Sequence, residues 1–298
     1  MTGGVEVREG ATHVGAARGR VAGGGLLSPK WLSPKWLIAV LITLILVLGE
    51  WRYQILGGYD RLAVTLGLCV ATEVLLALFV GGRRASLQSA YISGISLALL
   101  TKPQSNILWP FAAGAFLAIG SKYVLRYRGR HLWNPTNFAI SALVLLAPGQ
   151  VAVLSHQWGN DLATNAVIWA VGILVVTRAR VLHVTLTYLG AFLLLAWVRS
   201  LMVGTPFLAE VAPVTGPMYQ LFIFFMITDP RTTVSTRWGR MAVAVAVAVV
   251  EFGIRLAGDH QVGMLTPLYY SPPILSLAMV GPVAMWWDLR RREKPALP

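Results

Sequence analysis

The chain has 298 residues, 56% hydrophobic and 12% charged, where a soluble domain carries about 25% charged residues. That balance, with a mean hydropathy of +0.65, excludes an ordinary water-soluble fold and points to helices in a bilayer. The net charge of +13 is read as the basic loops of a membrane protein, and no nucleic-acid partner is expected.

Residues 1–35 are glycine-rich and mixed in charge, and are expected to form a disordered cytoplasmic tail. "SPKWLSPKWL", Ser28 to Leu37, is a tandem duplication whose Trp and Lys suit a membrane interface. A transmembrane domain is expected over 36–290, then a cytoplasmic tail over 291–298. Ten apolar segments stand out, near 36–49, 61–80, 86–101, 105–121, 136–153, 163–177, 181–198, 212–228, 241–257 and 271–288. With both termini inside, the inner loops collect 20 of the 25 Lys and Arg residues, among them Lys122, Arg126, Arg128, Arg130, Arg178 and Arg231. Arg52, Arg61, Lys102, Arg199 and Arg255 are left outside. The expected fold is all-α and polytopic, multi-pass in a bacterial inner membrane, with the lipid bilayer as its first partner.

Ten helices divide into five and five, and an odd number per half forces the halves into opposite orientations. Two inverted repeats are expected, over 36–155 and 160–290. The third and eighth segments both close on Thr-x-Pro, at Pro103 and Pro230. The fifth opens on "NPTN" (Asn134 to Asn137) and the tenth on "SPP" (Ser271 to Pro273). Inverted repeats with broken helices build ligand sites near the membrane midplane.

The stretch "FFMITDPRTTVSTRWGR", Phe224 to Arg240, raises the question of a site. Pro230 lacks a backbone donor and pushes Asp229 out of helical geometry, so Asp229 is expected to cap a following helix with Pro230 first in it. One reading is a capped end with a basic loop. The other is an anion site, with Arg231 and Lys122 facing the anion and Thr232 offering its hydroxyl. Asn134 and Asp229 are expected to fix turns near the repeat interface. Glu73, inside an apolar segment with no partner close in sequence, is the candidate for a proton or ion relay. Glu251 is expected to pair with Arg255 one turn on, and Glu210 to lie in a loop. With one cysteine (Cys69) and five histidines that form no i, i+3 or i, i+4 pair, no metal site is expected.

The motifs carry a resemblance. "FFMITDP", "SAYISGISLALLTKP", "LAIGSKYVLRYRGRHLWNPTN" and the terminal "PVAMWWD" are similar, in order and spacing over roughly 85–290, to segments of the RnfD/NqrB family. These are flavin-carrying membrane subunits of bacterial electron-transport complexes. Among divergent members the chain most resembles the UnbU-type proteins found with enediyne polyketide biosynthesis, where Arg follows Asp-Pro. The resemblance implies a redox accessory role in natural-product biosynthesis, with other membrane or biosynthetic subunits as partners. The family attaches FMN to the threonine of a Ser-Gly-Ala-Thr motif. This chain has only "DLATN", Asp161 to Asn165, so covalent flavin is not expected and noncovalent FMN or riboflavin stays open. A small-molecule transporter and a noncatalytic anchor for biosynthetic enzymes are the alternatives, and whether the chain is an enzyme is left open.

Overall fold

The computed structural model describes residues 34–81, 85–103, 107–148, 151–153 and 162–292. Most of the expected N-terminal tail, the chain from residue 293, Arg83, Arg84 and Asp161 lie outside the described residues. The first half contains α1 (Pro34–Tyr53), α2 (Tyr59–Leu76), α3 (Leu87–Leu100), α4 (Trp109–Val124) and α5 (Pro135–Leu146). The second contains α6 (Leu162–Arg178), α7 (Leu182–Val203), the short α8 (Phe207–Val211) and α9 (Pro217–Leu221), α10 (Arg237–Asp259), the short α11 (Thr266–Tyr269) and α12 (Pro272–Arg291). Four strand fragments complete the described chain. β1 (Thr101–Pro103) pairs antiparallel with β4 (Val151–Val153), and β2 (Arg126–Tyr127) with β3 (Arg130–His131).

The helices begin and end on recognisable residues. Asn134 accepts from the backbone N–H groups of Thr136 and Asn137, with Pro135 in the first helical position of α5. Thr236 caps α10 by accepting from the Gly239 N–H at 3.1 Å. Gly204, at φ 78°, closes α7 in a left-handed conformation.

Three helices, Tyr59–Val80, Leu182–Val203 and Arg237–Asp259, are long and apolar enough to cross a membrane, or up to five spans if each of two bent pairs counts as one. One bent pair, Gly263–Tyr269 with Pro272–Arg291, turns by 93°. Helix lies on each of the ten apolar segments, with two corrections. The fifth segment does not run to residue 153: its helix ends at Leu146, just before Pro148, and Val151–Val153 pairs as a strand. The eighth is not one helix. A 3₁₀ turn (Ala212–Thr215), α9 and a π-helical turn (Phe222–Met226) share it, with Pro213 and Pro217 among the residues that interrupt it.

Packing recurs between the halves. In the first, α1 lies on α3, α2 on α3 and α4, and α4 on α5. In the second, α6 lies on α9 and its π-helical extension, α7 on α10, and α10 on α12. Between the halves, α1 packs on α6, and α5 on α12 and on the short α11. Large apolar side chains such as Val40, Val47, Phe116 and Leu194 remain exposed on helix faces, compatible with contact to lipid.

Candidate functional site

A cavity of about 190 Å³ lies between α1, α3, α6, the start of α5 and the 221–232 segment. Lys122, Asn134, Asp229, Arg231 and Thr232, five residues from motifs spread along the chain between positions 122 and 232, all line it. Glu73 is not in the lining but reaches it through Lys122.

Asp229 does not cap a helix, because α10 begins eight residues later at Arg237, with Thr236 as its cap. Its carboxylate instead closes its own turn. It accepts from the Arg231 N–H at 3.0 Å, from the Thr232 hydroxyl at 3.0 Å and from Asn134 Nδ2 at 3.0 Å. One carboxylate thus joins the Asp-Pro turn to the Asn-Pro turn, 95 residues apart. Arg130, from the β2–β3 hairpin, adds bonds of 3.3 Å to the carbonyls of Pro230 and Arg231. The Arg231 guanidinium is exposed at the cavity and makes no hydrogen bond or ion pair among the described residues.

Lys122 corrects the sequence reading more sharply. It was expected in a basic inner loop, but it sits in the last turn of α4 and is 7% exposed. Its ammonium donates to the Ser89 carbonyl at 3.3 Å and to Ser89 Oγ at 3.2 Å, and lies 3.8 Å from Glu73 Oε2. The other oxygen of Glu73 accepts from the Ser86 N–H at 3.0 Å and the Tyr123 hydroxyl at 3.2 Å. Glu73 therefore finds its partners far off in sequence, in α4 and in the turn before α3. A buried charge is tolerated only when paired and hydrogen-bonded in this way.

Two further polar clusters occupy the second half. Glu251, fully buried in α10, pairs with Arg255 at 2.8 Å as expected, and also accepts from the Tyr188 and Tyr219 hydroxyls. Arg199 of α7 grips Asp259 of α10 through two bonds of 2.6 Å and also bonds Glu210. Glu210, expected in a loop, is buried within α8, where Thr205 donates to it as well. The tyrosines were missed because nothing marks a tyrosine's partner when that partner lies 63 or 32 residues away.

The geometry suits an organic anion. Lys122 and Arg231 supply positive charge, Phe224 and Phe225 supply apolar wall, and the Asp229 network holds the mouth in shape. Among the described residues no group of three His, Cys, Asp or Glu side chains could hold a metal ion. The segment that carries the remnant of the flavin-attachment motif is helical. Leu162–Asn165 forms the first turn of α6, and Asn165 accepts from Gln220 at 2.6 Å.

No protein-family model matches this chain, and no curated protein matches it. The likeness to the RnfD/NqrB family accordingly rests on the motifs themselves.

Proposed function

We propose that this chain is a ten-span bacterial inner-membrane protein of RnfD/NqrB-like construction, a redox accessory to natural-product biosynthesis of the enediyne kind, with the cavity as its working site. The observation that carries the reading is convergence. The Ser-Gly helix, the Ser-Lys pair, the Asn-Pro turn and the Asp-Pro turn are spread over some 140 residues, and each contributes to one cavity. Packing alone does not require four polar motifs to meet.

The repeat is supported by the pairing of helices. If α1 to α5 correspond to α6, α7, α9 with its π-helical turn, α10 and α12, then α2 on α4 matches α7 on α10, and α4 on α5 matches α10 on α12. Two of the pairs that join the halves, α1 with α6 and α5 with α12, are each a helix with its own counterpart, as contacts across a two-fold axis would be. An ion pair links equivalent helices in both halves with the charges exchanged: Glu73 to Lys122, and Arg199 to Asp259. The arginine-rich end, where the cavity opens, is assigned to the cytoplasm.

The redox part of this reading comes from the resemblance. It is tested by the visible spectrum of detergent-purified protein, before and after denaturation and filtration. The expected result is a flavin band near equimolar amount that passes the filter once the protein is denatured. Colour retained by the denatured chain would mean covalent attachment. A protein colourless even when expressed with ample flavin would remove the redox role. That outcome would favour transport, which the lining of one cavity by both halves also suits, or an anchoring role for the basic loops.

A further inference from the structure

The cavity follows α3, from Gln88 and Ser89 at one end, past Ser93 and Ser96, to Leu99 and Leu100 at the other. Twelve residues of α-helix span about 18 Å. Serines at 89, 93 and 96 put small side chains along that helix face, so the cavity of about 190 Å³ has room to run beside α3 as a slot. The two ends differ chemically. Lys122 is pinned at the Ser89 level by two hydrogen bonds, and the buried Nε2 of Gln88, the residue before Ser89, has no acceptor among the described residues. Buried donors are nearly always paired, so an orphan beside a cavity asks for an acceptor from outside the chain. At the other end the α3 residues are the apolar Leu99 and Leu100, and Ile42, Leu221 and Phe224 also line the cavity.

We infer that the slot takes a single-chain carboxylic acid, its carboxylate held by Lys122 and Gln88 and its chain running along Ser93 and Ser96 to Leu99. This rests on the reading above that the cavity is the working site, and names the class of molecule that enters it. A carboxylate fits because Lys122 and Arg231 both line the cavity, while Glu73, 3.8 Å from Lys122, already takes part of the ammonium's charge.

The test uses the full chain in nanodiscs of neutral phosphatidylcholine, titrated with cis-parinaric acid, a polyene acid that fluoresces in apolar surroundings. Saturable binding of one molecule per protein above empty discs is expected, with displacement by decanoate. The methyl ester of the probe should bind about ten-fold more weakly, as should the acid to Lys122→Gln. Ser96→Phe, which leaves the charged end untouched, should abolish binding by filling the slot. Should Lys122→Gln fail to fold, the ester comparison on the unaltered protein decides. No binding above empty discs, or equal binding of acid and ester, overturns the inference. So does displacement by phosphatidylglycerol in the discs but not by decanoate, since the site would then belong to a phospholipid. Flavin absorbance read on the same preparation separates the two readings. A colourless protein that binds the acid removes only the redox role, and a yellow one that does not bind removes only this inference.

Discussion

Asp229 places its carboxylate on three donors, two in its own turn and one on Asn134. Asn134 in turn spends its side-chain oxygen on the first N–H groups of α5 and its nitrogen on Asp229. The two residues form one network, which makes their effects non-additive. Asn134→Ala removes a helix cap and should lower stability by about 1–2 kcal/mol. Asp229→Ala should lower it by a similar amount and weaken ligand binding while leaving membrane insertion intact, because the turn that presents Arg231 and Thr232 loosens. In the double variant the loss should fall short of the sum by about 1 kcal/mol. Thermal unfolding of the four proteins in one detergent checks this, and strictly additive losses would mean that the two turns are held independently.

The π-helical turn at Phe222–Met226 exists beside a helix that makes room for it. A Cβ built on Gly172 of α6 would stand 2.4 Å from the Phe224 ring, which also meets Trp169 edge-on at 5.2 Å. Gly172→Ala should therefore cost about 1–3 kcal/mol by overpacking, and Phe224→Leu should recover part of that loss. Gly190→Ala in α7, where nothing lies within 4 Å, is the control and should be neutral or stabilising by up to about 1 kcal/mol. If both alanines behave alike, the close approach to Phe224 is not what shapes this turn. The helices were readable in advance because apolar runs end on Pro, Asn and Gly, and Asn-Pro announced the cap of α5 plainly. The pairing of β1 with β4 was not readable, since a strand of three residues carries no periodicity. Lys122 was misread because a cation near the end of an apolar run looks the same in sequence whether it meets water or a carboxylate 49 positions away. Asp-Pro misled for a related reason: the residue that caps a helix can equally close a turn.

The arrangement of the whole chain turns on the broken eighth segment. If it crosses the membrane, three spans separate the end of α6 from the turn before α11, and these points lie on opposite sides. If it dips in and returns, only α7 and α10 cross between them, and both points lie on the same side. Inverted repeats of five require the first arrangement, because a re-entrant eighth segment would leave the second half with an even number of crossings. Arg178 and Met264 mark the two points, and both are exposed, Met264 at 94%. Cys69 is completely buried in α2 and can be replaced by serine to leave a background without thiols. With Arg178→Cys and Met264→Cys introduced separately, an impermeant maleimide should label Met264→Cys in intact cells and Arg178→Cys only after lysis. Labelling of both before lysis, or of neither until lysis, would make the eighth segment re-entrant. That outcome would put the ends of α7 and α10 on opposite faces and break the Arg199–Asp259 pair, which joins the C-terminal ends of two parallel helices.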